Sequence, residues 1–127
     1  RLADLRDGLG RIRTRLDRLN PPPTRHIPIM VGGSGEKVTL RLVAEFADAW
    51  NTFGPPESWK AKSDVLDRHC HDLGRDPATV ERTVCISAEE IYRVEEYAEV
   101  GAQHVILMSG APFDLSGVER LLAAAES

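Results

Sequence analysis

Apolar residues recur at intervals of three and four in some stretches of this chain and stand side by side in others. From residue 2 to 18, Leu2, Leu5, Leu9, Ile12 and Leu16 fall on one side of a helix whose other sides carry Arg and Asp. Asn20-Pro21-Pro22-Pro23 closes that helix and predicts a stiff connector, because proline fixes φ and turns the preceding residue away from helical geometry. Ile27-Pro28-Ile29-Met30-Val31 reads as a buried strand with its proline near the start. A helix is expected over 36–46, with Val38, Leu42, Val43 and Phe46 inward.

Ala47-Asp48-Ala49-Trp50-Asn51 predicts a second strand, broken by Gly54-Pro55-Pro56. The helix over 57–73 aligns Trp59, Leu66, Cys70 and Leu73, and Gly74 stops it. Asp76-Pro77 starts a single turn, and Thr83-Val84-Cys85-Ile86 makes a third strand. Ser87-Ala88-Glu89-Glu90 fits a capping box for a helix with Ile91, Val94 and Ala98 inward and Gly101 as its stop. His104-Val105-Ile106-Leu107-Met108 is the most apolar strand. A last helix starts near Leu115, capped by Asp114, with Val118, Leu121 and Leu122 inside.

This order, one helix followed by four strand-helix units, predicts an α/β chain of parallel (β/α) units. The strands read as continuous apolar runs, which implies cover on both faces. The 127 residues suit one domain, residues 1–127. A closed barrel of eight such units takes ~250 residues, so the chain amounts to half of one. Four parallel strands side by side leave two open edges that need pairing or cover.

Composition narrows the partners. Sixteen basic against twenty acidic residues give a net charge of -4, which offers no footprint for nucleic acid or an anionic membrane. The apolar runs are far shorter than the ~20 residues of a membrane helix, and a cytoplasmic protein is expected. Cys70 and Cys85 are too few and too far apart for a disulfide scaffold, and read as buried free thiols.

The candidate chemistry lies in Gly32, Gly33, Ser34, Gly35, Glu36 and Lys37, between the first strand and the next helix. Helix-terminal amides without partners converge there, glycines admit a phosphate close to the backbone, and Ser34 and Lys37 add a hydroxyl and a cation. Tight turns also want glycine, so the motif alone leaves both readings open. Neither Gly-x-x-x-x-Gly-Lys-Ser/Thr nor Gly-x-Gly-x-x-Gly is present, which argues against nucleoside triphosphates and a dinucleotide fold.

Rival sites are poorer. His69 and His71 point about 200° apart on their helix and cannot share an ion, so no metal is expected. His26 and His104 precede strands, at the end away from the loop. Glu89, Glu90, Glu95, Glu96 and Glu99 form a charged helix face. Ser34, Asn51, Ser87 and Ser109 lie at the C-terminal ends of strands, where barrels build active sites, yet no nucleophile-base pair is evident and the catalytic residues stay unknown.

Residues 27–51, from Ile27-Pro28-Ile29-Met30-Val31-Gly32-Gly33-Ser34-Gly35 to Ala47-Asp48-Ala49-Trp50-Asn51, resemble the signature of luciferase-like monooxygenases, especially the coenzyme F420 (deazaflavin)-dependent oxidoreductases of actinobacteria. The likeness continues through residues 73–83, from Leu73-Gly74-Arg75-Asp76-Pro77 to Arg82-Thr83, and residues 98–107, from Ala98-Glu99-Val100-Gly101 to Ile106-Leu107, and so covers nearly the whole chain. It implies strands five to eight of a TIM (β/α)8 barrel, FMN or coenzyme F420 as cofactor, and a small-molecule substrate. The turn at residues 33–36 is similar to the one holding the cofactor phosphate. Trp50 and Asn51 become neighbours of the cofactor, although a packed core ring is an equal reading of Trp50. The resemblance leaves the N-terminal half of the barrel to be supplied by that half itself or by a homodimer partner. Two other readings stand beside it: a non-catalytic half-barrel that binds a phosphorylated ligand or self-associates, and, behind both, an open flavodoxin-like module.

Overall fold

The computed structural model describes residues 2–125. Its order is α1 (Leu2–Leu16), β1 (Met30–Gly32), α2 (Thr39–Phe46), β2 (Ala49–Thr52), α3 (Pro56–Asp72), a 3-10 turn (Pro77–Thr79), β3 (Glu81–Ser87), a 3-10 helix (Ala88–Arg93) running into α4 (Val94–Glu99), β4 (His104–Met108) and α5 (Ser116–Ala125). The strands form one sheet, β1-β2-β3-β4, parallel throughout. The chain is therefore an α/β protein with helices between parallel strands.

Sequential order has a geometric consequence. Crossovers between neighbouring parallel strands share one hand, so their helices gather on one face of the sheet. The core agrees: Val31, Trp50, Val84 and Ile86 of the strands share a single cluster with Leu40, Leu42 and Val43 of α2, Trp59, Leu66 and Cys70 of α3, and Ile91 and Tyr97. The alternate strand positions Met30, Asn51, Ile106 and Met108 stand outside it, with Met30 46% and Met108 55% exposed. That second face is mixed: Ala49, Thr83 and Cys85 on it are buried, so the expectation of strands covered on both faces fails at its exposed ends, Met30 and Met108, and not across the middle of the sheet. The accessible surface is 8472 Å2, whereas a compact chain of 14.0 kDa exposes about 6,700 Å2.

Several element bounds differ from those expected, each for a local reason. β1 is three residues long because the backbone of Ile29 is diverted: its N–H donates to Asp48 Oδ2 at 2.7 Å, and its carbonyl accepts from Asp48 and Ala49. Residues 36–38 form a turn ahead of α2, leaving Val38 exposed and Leu40 and Ala44 buried beside Leu42 and Val43. After β3 the chain winds at three residues per turn, and that tighter period moves the inward stripe to Ile91, Val94 and Tyr97, so Ala98 faces out.

On α5, Val118 and Leu122 are exposed and Gly117 is buried instead. A Cβ on Gly117 would stand 2.7 Å from Ile91 Cδ1 and 2.9 Å from Leu107 Cδ2. α1 lies along α2, with Leu9 buried and the Arg13 guanidinium donating to Phe46 O at 2.7 Å while covering the Phe46 ring.

Candidate functional site

β1 delivers Gly33 to the C-terminal end of the sheet, where its N–H continues the ladder onto Asn51 O at 2.9 Å. From there three loop carbonyls are engaged. Gly33 O accepts from Trp50 Nε1 at 2.8 Å, Gly35 O from Leu40 N–H at 3.0 Å, and Glu36 O from His69 Nε2 at 2.7 Å. In a planar trans peptide the carbonyl and the following N–H point in opposite directions. Fastening the carbonyls of residues 33, 35 and 36 inward therefore turns the amides of Ser34, Glu36 and Lys37 outward. Outward donors ahead of a helix are the kind of arrangement that anion-binding concavities are built from.

The glycines serve the loop itself as well. A Cβ on Gly33 would lie 3.0 Å from Thr39 Cγ2, and one on Gly35 would lie 2.8 Å from Thr39 Oγ1. Thr39 fills the inner side of the turn, and Gly33, at φ 133°, also needs the freedom only glycine has. The outer side opens on a depression of about 450 Å3, lined by Leu2, residues 34–39 and Lys62. Lys37 and Ser34 are exposed there, and Lys37 has no ion pair among the described residues. Glu36 presents its amide, but its carboxylate is drawn to Lys62 Nζ, which holds that carboxyl below its ordinary range.

Trp50 and Asn51 point to opposite faces. Trp50 is fully buried and stacked on Trp59 with 5.5 Å between ring centroids, and its indole N–H reaches the loop at Gly33 O. Asn51 faces the second side of the sheet, half-buried, with Oδ1 2.9 Å from the Thr83 hydroxyl. That contact leaves its amide donors for the open face. Gly32, its register partner, adds no side chain beside it, and the nearest atom to a Cβ built there is Asn51 O at 3.8 Å. The structure thus brings together Gly32, Gly33 and Asn51 at the sheet, and Ser34, Glu36 and Lys37 around the corner by α3.

The remaining candidates have local employment. Ser87 gives its N–H to Glu90 Oε2 at 2.9 Å, which lowers the Glu90 pKa, and Ser109 lies 3.4 Å from Asp114 O. His26 pairs with Asp48 at 3.1 Å and His104 with Glu81 at 3.2 Å, both at the opposite end of the sheet. His71 is exposed and Cys70 buried, but His69 is no solvated side chain: it grips the loop at Glu36. Lys62 and Thr39 carry no expectation from the sequence, and His69 is expected there only as part of a solvated helix face. Lys62 and His69 do carry a signal, since a spacing of seven puts both on one face of α3.

A further depression, about 630 Å3, lies elsewhere, under α5 between Val94, Val105, Leu107, Val118 and Leu122. Its lining is apolar, and its few polar groups, Glu95, Gln103 and His104, belong to the end of the sheet away from the loop or to its rim. Among the described residues no group of three or more His, Cys, Asp or Glu is placed to hold a metal, and no helix is long and apolar enough to cross a membrane. No protein-family model matches the chain, and no curated protein matches it either.

Proposed function

We propose that the chain is the C-terminal half of a (β/α)8 barrel of the luciferase-like flavin or deazaflavin oxidoreductases, and that residues 32–37 hold the phosphate of FMN or coenzyme F420. The observation that carries this reading is the set of outward amides at Ser34, Glu36 and Lys37, aimed by carbonyls already fastened to Trp50, Leu40 and His69. Two further observations support it. The sheet has all its helices on one face, the arrangement of an arc of a barrel, and the resemblance over residues 27–51 names the same turn as the phosphate seat.

In this reading the amides and Lys37 bind the phosphate, while Asn51, beside the bare backbone of Gly32, offers amide donors to the polar edge of the ring. The cofactor supplies the hydride or oxygen chemistry on a small organic substrate. The substrate pocket needs the complementary half, provided by the N-terminal half of the barrel or by a second copy of this chain. An excess of about 1,800 Å2 over a compact chain's surface is the scale of area that such a partner covers. Two buried thiols without a disulfide suit a reducing compartment, hence a cytoplasmic enzyme.

A second reading, a non-catalytic half-barrel that binds a phosphorylated ligand, is favoured by the local hydrogen bonds that occupy Ser87 and Ser109. Titration with FMN and with coenzyme F420, followed in their visible spectra, separates the two. Saturable binding with substrate-dependent bleaching supports the oxidoreductase, and binding without turnover supports the second reading. Absence of binding to either cofactor overturns the first.

A further inference from the structure

The depression beside the glycine loop has one acidic residue in its lining, Glu36, at the place where an anion is to sit. A carboxylate there opposes a phosphate unless it is held aside. Two residues of α3 do so. Lys62 takes the carboxylate of Glu36 and His69 takes its carbonyl, at 2.7 Å from Nε2, so the residue is gripped at both ends. A carbonyl accepts only, and so Nε2 carries the proton. Nδ1 of His69 is buried without a partner, which leaves Nε2 as the working atom of the ring.

We infer that Lys62 and His69 are positioning residues for the anion seat: Lys62 keeps the Glu36 charge away from the bound phosphate, and His69 keeps the Lys37 amide aimed at it. This inference rests on the phosphate reading of the loop. It adds a specificity rule, because the clamp matters for a phosphorylated ligand and not for the same ring without its phosphate.

The test uses FMN and riboflavin as probes of the full chain. In the wild type, FMN binds more tightly than riboflavin by about tenfold or more, the size of a charge-assisted contact. Lys62→Met weakens FMN by about tenfold and leaves riboflavin unchanged, and adding Glu36→Gln restores most of the FMN affinity. Failure of Glu36→Gln to restore it overturns the positioning role and makes Lys62 a direct ligand of the phosphate. His69→Ala weakens FMN by about threefold to tenfold, and His69→Gln, which keeps a donor, recovers part of the loss.

A wild type that binds FMN and riboflavin alike removes the phosphate reading itself. The clamp is then judged without ligand, by amide hydrogen exchange at Lys37. Exchange is expected to accelerate in His69→Ala and slow again in His69→Gln, and equal exchange in all three proteins overturns the inference.

Discussion

Tyr97 shows how much one buried hydroxyl settles. Its ring is fully enclosed, and its oxygen donates to Gly54 O at 2.6 Å and lies 3.2 Å from Glu90 Oε1, tying the loop after β2 to the segment after β3. Removing only the oxygen, in Tyr97→Phe, leaves the Gly54 carbonyl unpaired and should cost about 1–2 kcal/mol, read as a lowered urea midpoint with unchanged slope. Burial pushes the phenol up to about 12. Below pH 10 the folded and unfolded states both keep that proton. Between 10 and about 12 the unfolded chain releases it and the folded chain does not, so stability falls with rising pH across that window. Denaturation series at several alkaline pH values check the slope, which should flatten in Tyr97→Phe. None of this was legible beforehand, because a helix of 3.6 residues per turn puts Ala98 inward, and only the 3-10 winding brings Tyr97 to the core.

At the level of elements, ends were more legible than faces. Gly74 stops α3 as its position suggested, at φ 67°, with Arg75 N–H on Cys70 O at 2.9 Å and Gly74 N–H on His71 O at 3.0 Å. Asp76 caps the turn at Pro77 through Ala78 N–H at 3.0 Å. Such punctuation depends on a few neighbouring residues, and a sequence displays it directly. Faces depend on what arrives from elsewhere, which is why Val38, Val118 and Leu122 were misplaced. A Cβ at Gly74 meets nothing within 4 Å, so Gly74→Ala isolates backbone strain from crowding. It should cost about 1 kcal/mol, and Gly74→Asn less, because asparagine tolerates left-handed geometry. Thermal unfolding of the two variants checks the order.

For the whole molecule, the parallel arrangement followed from four strand-helix units, and the glycine loop lies at the C-terminal end of β1. The partners of that loop were not visible, because Thr39, Lys62 and His69 meet it only after α2 and α3 have packed. The exposure of Met30 and Met108 on the second face has a related reason: apolar runs report what a strand is able to bury, not what is present to bury it. Parallel sheets are found covered on both sides, and the ends of this second face stand open. Sedimentation should therefore give twice the chain mass when the chain is studied by itself. A sharp monomer that unfolds in a single cooperative step contradicts this expectation.

The contact of α5 through Gly117 has a mechanical meaning. Gly117 sets how closely α5 sits on Ile91 and Leu107, while Leu121 one turn further on packs against the same core. A methyl group at 117 would lift the helix at its first contact and tilt it about the second, opening the hollow beside Leu122.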